Sequence, residues 1–571
     1  EKYEASVLLK VPKIPVDTAK QILNNWFKSS GRQLQSEQEK IVLEAFEKCP
    51  LPLYLKLCFD EACRWKSYTT PSDTKLTPSI KGIIHDLLDR VERLHGKILV
   101  SQALAYITAS RNGLTEPELE DILSLDDVVL NDVYQYWTPP IRRLPPLLWI
   151  RIRSGIGDYL IERGADGARV INWYHRQFTE VARERYLGDE QAAVGIHSNM
   201  SEYFLGDWSD GVKKSYVDKE GKKMAVDRLV PKQPLMFDVS EEKPIFNLRK
   251  LSEVPHHLLH SKQIDKLKQD TLCNFEFLLA KVQGSSVEAV QQDFNAALTL
   301  HPDDREFDLL QKCFSLSAHA LRQDPRQLSV QLIGRLYKYM QKQECPFLKK
   351  VLIAAQTPSV PAFIPNQQCL TPAGGSLINS ISNEEFHGGI EHVNFTSDSK
   401  TIVTCNRGSE GLCLLYVDVK SGRRQRKVCF DSSDTDVNTC WCAKISKKND
   451  DIFIASGSSA NMYLINARAN KILQEYKPMK DQGNWFRVFP SVAFAEDDKL
   501  IVALGDSGVR IWETASGKLL HDVNVKGINV EEEFGSLDAN GGLAVYCVRN
   551  TKTVHVLNVK TGEEVRTVGT L

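Results

Sequence analysis

The sequence predicts a multidomain α+β protein, with a long helical part followed by an all-β part built from repeated strands. Up to about residue 375, apolar residues recur at the three- and four-residue spacing of amphipathic helices. From residue 376 they alternate with polar residues in short runs rich in β-branched and aromatic side chains, which is the pattern of half-buried strands. A strand–turn unit also recurs at a regular interval there. A chain of 571 residues has room for about four domains.

Composition narrows the class of protein. The net charge of −1 gives no overall field that would attract nucleic acid or an anionic membrane. The 13 cysteines are scattered without the spacing of a disulfide framework, so we expect reduced thiols and a cytoplasmic location. Neither a signal peptide nor an apolar run of the ~20 residues that span a membrane is visible. Because the sequence opens on Glu1 rather than Met, we expect a piece of a longer protein.

Residues 1–75 are predicted to form a small helical domain. Ser36 is expected to cap a helix there, with Glu39 in the reciprocal position of a capping box. The run CPLPLYLKL then starts another helix. Pro52 fits its first turn, because the N–H that proline lacks would have no partner inside the helix at that position.

Residues 76–210 are predicted to form a winged helix, since three helical patterns are followed by two short strands. Thr115 is expected to cap the third helix, with Glu118 as its capping-box partner. The strands flank a turn at residues 164–167. A winged helix can bind DNA, and four arginines raise that alternative: Arg142, Arg143, Arg151 and Arg153. They are interleaved with apolar residues and no basic face continues them, so nucleic acid is the disfavoured partner.

Within this domain, residues 168–187 contain the candidate binding residue. A β-like run ends at Tyr174, and His175 then opens an amphipathic helix. A helix start offers free backbone N–H groups and the positive end of the helix dipole, which suits a phosphate. The alternative is that His175 only caps the helix or packs against it.

Residues 211–375 are predicted to form a surface insertion followed by a helical arm. Residues 209–240 are polar and Lys-rich, which favours a solvated loop. Helical patterns return from Asn247 on. His256, His257 and His260 have a spacing that can bind metal, but neither a cysteine nor a pair of carboxylates completes a site, so we expect no metal. Prolines and glycines between residues 358 and 375 indicate a linker.

Residues 376–571 carry an internal period. The turn residues Gly422, Asn470, Gly517 and Gly562 are 48, 47 and 45 residues apart, and each follows a similar strand. A period near ~40–45 residues with four strands per unit is the signature of a WD-repeat propeller. About four units are countable, and the closest match to a Trp-Asp mark is Trp512-Glu513. The sequence therefore predicts about four blades of a partial propeller.

Motifs for catalysis are missing. The sequence contains no G-x-x-x-x-G-K-[ST] loop, no complete dinucleotide loop, no nucleophile elbow and no H-E-x-x-H. Phosphoryl transfer needs a backbone cradle, a lysine and a Mg²⁺ ligand. We therefore expect no catalytic residue, no metal site and no catalysis by this chain alone.

Several stretches together resemble NACHT and WD repeat-containing proteins of the STAND NTPase class. They are the helix start CPLPLYLKL, the triplet Tyr174-His175-Arg176, and the arm runs VPHHLLHSKQIDKLKQDTLCNFEFLLAKVQ and RQDPRQLSVQLIGRL. The resemblance implies the C-terminal helical part of a NACHT module at residues 1–75, a winged helix at 76–210, an arm and linker at 211–375, and WD blades at 376–571. It also implies that the P-loop lies outside this chain.

The resemblance also implies an ATP or ADP site. In that family a Gly-x-Pro element places its proline against adenine, and the matching residue is Pro52, although Pro50 replaces the glycine. The family's Met-His-Asp histidine binds the β-phosphate of ADP, and the matching residue is His175. Arg176 replaces the aspartate and could either add a phosphate contact or bond to Gln177 and Glu180.

The expected function is therefore part of a STAND-type ATP/ADP-dependent regulatory switch and protein-interaction scaffold. The propeller would bind partner proteins, the winged helix would sense nucleotide, and the full-length protein could self-assemble. An alternative is a non-enzymatic WD-repeat scaffold. A distant alternative, a protein associated with a ribonucleoprotein particle, rests on a looser resemblance to a telomerase-associated WD-repeat protein.

Overall fold

The computed structural model forms two compact units, Glu1–Ser376 and Leu377–Leu571. The residues that it describes are 13–70, 74–136, 142–218, 220–224, 228, 230–238, 244–340, 344–375, 377, 390–408, 411–419, 424–430, 442–456, 461–476, 491–505, 508–524, 536–547 and 553–569.

The first described elements of this unit are three helices: α1 (Val16–Ser29), α2 (Ser36–Lys48) and α3 (Pro52–Ala62). Helices α1 and α3 pack through aromatic rings. The ring centroid of Phe59 lies 5.3 Å from that of Trp26 and 4.8 Å from that of Phe27. Pro52 occupies the first turn of α3, as predicted. The predicted capping box of α2 is displaced by one residue, because Gln35 is the cap and its N–H donates to Oε1 of Gln38.

The next segment places a β-hairpin among helices. The helices before it are α4 (Ile80–His95), α5 (Lys97–Ala109), α6 (Glu116–Leu125), α7 (Asp127–Val133) and α8 (Pro146–Ile156). The hairpin pairs β1 (Leu160–Ala165) with β2 (Ala168–Trp173) and is followed by α9 (Arg176–Tyr186) and α10 (Glu190–Leu205). The capping box at Thr115 and Glu118 is confirmed. Both hairpin turn residues, Asp166 and Gly167, have positive φ, as a tight two-residue turn requires.

The Lys-rich stretch is only partly the loop that its composition predicts. It contains the paired strands β3 (Tyr216–Val217) and β4 (Lys223–Met224), and also β5 (Met236–Asp238), which pairs with β6 (Ile245–Phe246) just after the stretch. Arg228 is buried and donates hydrogen bonds to the carbonyls of Leu125 and Ser215. The expectation of a solvated loop is therefore wrong for this arginine, which ties the stretch to the end of α6.

A helical arm completes the first unit. Its helices are α11 (Leu248–His260), α12 (Ile264–Lys266), α13 (Phe275–Gly284), α14 (Val287–Leu300), α15 (Arg305–Gln323), α16 (Leu328–Leu336) and α17 (Pro346–Ala355), with a π-helical turn at Leu267–Leu272. The predicted linker is attached to the arm, because Leu370 and Ala373 donate backbone hydrogen bonds to Gly334 and Arg335 of α16.

The second unit consists of four antiparallel four-stranded sheets in its described residues. Their strands are β7 (Ile390–Phe395), β8 (Thr401–Gly408), β9 (Gly411–Asp418), β10 (Arg424–Cys429), β11 (Cys442–Ile445), β12 (Ile452–Ser456), β13 (Met462–Asn466), β14 (Lys471–Tyr476), β15 (Ser491–Ala495), β16 (Leu500–Gly505), β17 (Gly508–Glu513), β18 (Leu519–Asn524), β19 (Ser536–Asn540), β20 (Leu543–Cys547), β21 (Val554–Asn558) and β22 (Glu564–Val568). Each sheet pairs its strands in sequence order, and apolar clusters join consecutive sheets. This is the arrangement of WD-type propeller blades and confirms the predicted fold class.

The repeated strand–turn unit is the third strand of each sheet and its turn into the fourth. Asn470, Gly517 and Gly562 stand at that turn in the second, third and fourth sheets, and each has positive φ. Glycine and asparagine adopt this conformation at low cost, so the period in the sequence follows from turn geometry. The corresponding Gly422 lies outside the described residues.

The prediction of reduced thiols is wrong for two cysteines. Cys413 of β9 and Cys429 of β10 face each other in the strand register and form a disulfide, so these two are not reduced thiols. Among the helices described above, none combines the length and the apolar character needed to cross a membrane.

Gly113 provides a test of how the hairpin is held. Its φ is +101°, and a Cβ there would lie 2.5 Å from the carbonyl oxygen of Ile171, which pairs with Leu114. We expect Gly113→Ala to cost more than about 3 kcal/mol, measured as a shift of the unfolding midpoint in denaturant. Gly157→Ala is the control, because Gly157 has φ +70° but no atom within 4 Å of its added Cβ. That variant should lose only the cost of the strained backbone, about 1–3 kcal/mol. Equal shifts for the two variants would contradict the close approach.

Candidate functional site

His175 lies where the sequence places it, between β2 and α9. It is the exposed N-cap of α9, and its Nδ1 accepts a hydrogen bond from the N–H of Gln177 at 3.2 Å. The first turn behind it is anchored by the buried ring of Phe178, which stacks on Tyr159 at 4.5 Å and on Trp173 at 5.7 Å. The histidine therefore projects from a rigid aromatic base.

Arg176 makes one of the contacts considered for it. Its side chain is 88% exposed, and its Nε donates to Oε1 of Glu180 one turn later at 2.7 Å. Exposed pairs of this kind contribute little to stability, so the guanidinium can exchange this partner for another anion at small cost.

Pro52 is exposed at the first turn of α3. The other end of α3 contacts the hairpin region, because Tyr159 donates its hydroxyl to Asp60, and the carbonyl of Tyr159 accepts from the N–H of Tyr174. Pro52 lies eight residues before Asp60, or about 12 Å along the helix axis. The structure thus places Pro52 and His175 on different elements that meet through the far end of α3.

A large cleft in the first unit is lined by neither residue. It has a volume of about 770 Å³ and is lined by Glu61, Lys75, Thr77, Asp86, Asp89, Arg90, Glu92, Arg93, Lys97 and Arg185. Five basic and four acidic side chains line it, so its charges nearly cancel. Arg185 forms ion pairs with Asp89 and Glu92, and Arg90 lies 3.4 Å from Glu61. Such matching leaves little net field for an anion.

Three of the four arginines that suggested DNA binding have partners within the protein. Arg143 pairs with Asp121 at 2.6 Å, and Arg153 pairs with Glu116 and Glu162. Arg142 lies over the ring of Tyr216 at 5.1 Å. These contacts hold the basic side chains against α6, the hairpin and the insertion.

A buried ionic network joins the hairpin region to the arm. Arg249 of α11 donates to both carboxylate oxygens of Glu118 at 2.9 and 3.0 Å, to Asp166 at 3.2 Å and to the carbonyl of Gly113 at 2.7 Å. Glu253, one turn later and fully buried, also accepts from Arg249 at 3.2 Å. Burial alone would lower the pKa of Arg249, but the carboxylates of Glu253 and Glu118 outweigh it and raise that pKa above its usual value.

The network continues deeper into the arm. Arg111, just after α5, forms an ion pair with Asp293 of α14 at 2.7 Å, and its backbone N–H donates to Glu253 at 2.9 Å. Lys281 of α13 pairs with the same Asp293 and donates to the carbonyl of Leu251. Burial lowers the pKa of Lys281, and the Asp293 carboxylate opposes that shift. Ion pairs and hydrogen bonds thus link the segment after α5 to α11, α13 and α14.

Beside this network lies a cluster of four histidines. His197 of α10 meets His256, His257 and His260 of α11, with ring centroids of His197 and the other three 5.0 to 5.5 Å apart. Burial lowers the pKa of His197 and of His256 to about 2, and holds that of His257 well below its usual value. The buried imidazoles are therefore neutral at neutral pH. The sequence spacing indicated His256, His257 and His260, but His197 lies 60 residues before His257, and no local pattern could have found it.

The network predicts a large difference between two arginine substitutions. Arg249→Leu should destabilise the first unit by about 3–5 kcal/mol, because it leaves buried carboxylates without a counter-charge. Arg176→Leu is the matched control, since it removes an exposed helix pair, and it should leave the unfolding midpoint unchanged within error. Denaturant unfolding of the two variants beside the wild type measures both effects. A small effect of Arg249→Leu would mean that the network carries little of the stability.

Together, the hairpin among helices, the helical arm and the blade-like sheets define a winged-helix protein with WD-type repeats. Residues 72–193 match the family model described as "NWD1-like, winged helix-turn-helix domain". An alignment of 385 residues with NACHT domain- and WD repeat-containing protein 1 of Homo sapiens is 34% identical. It covers 66% of this chain and 24% of that protein.

Two mouse proteins extend the comparison. NACHT domain- and WD repeat-containing protein 1 of Mus musculus is 29% identical over 557 residues, covering 88% of this chain and 34% of that protein. NACHT and WD repeat domain-containing protein 2 of the same species is 28% identical over 412 residues, covering 68% and 23%. The chain is therefore a relative of the NACHT and WD repeat-containing proteins, as the resemblance predicted. It spans about a quarter to a third of the length of these relatives.

Proposed function

We propose that this chain is part of a cytoplasmic, STAND-type ATP/ADP-dependent regulatory switch, in which the winged helix senses bound nucleotide and the WD blades bind partner proteins. The observation that carries the proposal is the buried network that joins the winged helix to the arm. Chains of packed side chains and ion pairs of this kind can carry energetic coupling from a sensing domain into the arm.

His175 has the chemistry for a phosphate contact. Its Nδ1 accepts the N–H of Gln177, so the neutral ring carries its proton on Nε2. Since the side chain is exposed, this Nε2–H is available to donate to a phosphate oxygen. The start of α9 adds the positive end of the helix dipole, and Arg176 adds a full charge beside it. An ADP β-phosphate is the group that this arrangement suits, and Pro52 would lie against the adenine.

A displacement of α9 has a direct route to the arm. Only three residues separate α9 from α10, so α10 must follow a movement of its neighbour. Next, α10 packs on α11, where Arg249 and Glu253 connect to α6 and to α14 through Arg111. Exchange of ADP for ATP at His175 would thereby change how the arm is presented, and self-assembly of the full-length protein would follow.

The second candidate is a scaffold without nucleotide. It is favoured by one observation: the cap bond of His175 and the pair of Arg176 with Glu180 give both side chains a structural role that needs no ligand. Under this hypothesis the winged helix and the arm are rigid spacers. The blades, which correspond to the WD repeats in the relatives' names, would serve protein binding alone.

Two substitutions at His175 distinguish these candidates in the longest natural form of the protein. His175→Asn keeps an N-cap acceptor but removes the Nε2–H donor, whereas His175→Ala removes both. If His175 binds phosphate, both variants should retain about tenfold less co-purified nucleotide than the wild type, since one hydrogen bond to a charged group is lost. Only His175→Ala should also lower the Tm. Nucleotide content is read by chromatography of the denatured protein.

Asp189→Ala is the matched control for the cap. Asp189 caps the neighbouring helix α10 by accepting from the N–H of Ala192 at 2.8 Å, so its loss removes a cap of similar strength. Nucleotide content should be unchanged in this variant. If His175→Asn holds as much nucleotide as the wild type, or if Asp189→Ala loses as much as His175→Ala, the histidine is only a helix cap and the scaffold is the better account.

A further inference from the structure

We propose that His197, His256 and His257 form a binding site for a transition-metal ion of the zinc class, which clasps the winged helix to the arm. One ring nitrogen from each residue lies within 4.8 Å of the others. His197 comes from α10, and the other two come from α11, so the site bridges two helices. The expectation of no metal, drawn from α11 alone, is revised because α10 supplies the missing ligand.

Bonds to neighbouring groups orient two of the imidazoles for metal binding. Nε2 of His257 lies 3.0 Å from Oε2 of Glu253, and Nε2 of His256 lies 3.1 Å from the carbonyl oxygen of Ala109. A carboxylate and a carbonyl can only accept, so each of these rings must carry its proton on Nε2 and its lone pair on Nδ1. Metal-binding histidines characteristically donate their other N–H to such acceptors, which fix the tautomer and the ring orientation.

Glu253 is itself held firmly, which makes it a good orienting group. Its carboxylate accepts from the backbone N–H groups of Arg111 and Asn112 at 2.9 and 3.3 Å, and from Arg249 at 3.2 Å. The position of the His257 ring is therefore set by the buried network and does not depend on the metal.

The spacing of the nitrogens requires a small adjustment on binding. Ligand nitrogens of a tetrahedral Zn²⁺ are about 3.3 Å apart, whereas Nδ1 of His197 and Nδ1 of His257 are 2.8 Å apart. Without metal, one proton between these two atoms forms a hydrogen bond. Metal entry would move that proton to Nε2 of His197 or to water, and the pair would open by about 0.5 Å.

His260 lies beside these three ligands but is not in the set whose ring nitrogens are within 4.8 Å of one another, so the fourth position is left to water. This histidine is exposed at the rim of the cluster, and its ring centroid is 4.5 Å from that of His256 and 5.0 Å from that of His197. A set of imidazoles without thiolate or carboxylate ligands suits Zn²⁺, Co²⁺, Ni²⁺ or Cu²⁺ more than Mg²⁺ or Ca²⁺. The ion would join residues that are 60 positions apart in sequence, His197 and His257, and would stabilise the joint through which we propose that the switch acts.

Cobalt absorption tests the site directly. The full chain is stripped with a chelator and titrated with Co²⁺, followed by competition with Zn²⁺. We expect one equivalent of Co²⁺ to give the visible d–d bands of a tetrahedral site, Zn²⁺ to abolish them, and Zn²⁺ to raise the Tm of the wild type. His256→Gln, which changes a half-buried ligand, should weaken metal binding at least tenfold, and His260→Gln should weaken it less.

The control is His301→Gln, which alters a histidine of the same unit in the connection between α14 and α15 and should bind as the wild type does. Circular dichroism and the metal-free Tm show whether each variant is folded. The proposal is overturned if the folded wild type gives no d–d bands, or if folded His256→Gln binds Co²⁺ as tightly as the wild type. In either case the four imidazoles are only packed together, with a hydrogen bond between His197 and His257. Neither result bears on the nucleotide contact at His175, which is read from separate variants.

Discussion

The buried pairing of Arg249 with Glu118 and Glu253 is the contact on which the first unit depends. Charges removed from water are tolerated only where counter-charges and hydrogen bonds replace the lost hydration. Arg249 satisfies that condition by bonding to the hairpin turn, to α6 and to its own helix at once. All of these groups can bond to Arg249 together only if α11 sits at one position against the winged helix. The network therefore fixes the angle at which the arm leaves the domain, which apolar packing alone would define less strictly.

This constraint explains how a contact at the exposed candidate residue, His175, would affect the rest of the unit. His175 lies at the surface, where a ligand can reach it, but the helix that it caps rests on stacked aromatic rings and runs into α10. A small change at an exposed helix start is passed on when the elements behind it are closely packed. The same arrangement also serves a rigid spacer. The choice between switch and scaffold therefore rests on whether the exposed Nε2 meets a phosphate.

Local signals predicted much of the fold, and long-range contacts account for what was missed. Thr115 and Glu118 indicate a helix start from four consecutive residues. The turns at Asn470 and Gly517 repeat because their blades need a residue with positive φ at the same place. His175 could likewise be placed at a helix start from its neighbours. Glu118 and Arg249, by contrast, meet across 131 residues, and His197 meets His257 across 60. Burial of Arg228 within a Lys-rich stretch is equally a tertiary effect that overrides composition.

Native-state hydrogen exchange of the amides in α10 and α11 tests the central claim, that winged helix and arm form one body. If the buried network joins them, the slowest amides of α10 and α11 should open with the same free energy and show the same dependence on denaturant. Arg249→Leu should then lower the protection of both helices together. If α11 exchanges at a lower free energy than α10, or if Arg249→Leu affects only α11, the arm opens independently, and a signal from His175 would have no rigid path to the rest of the protein.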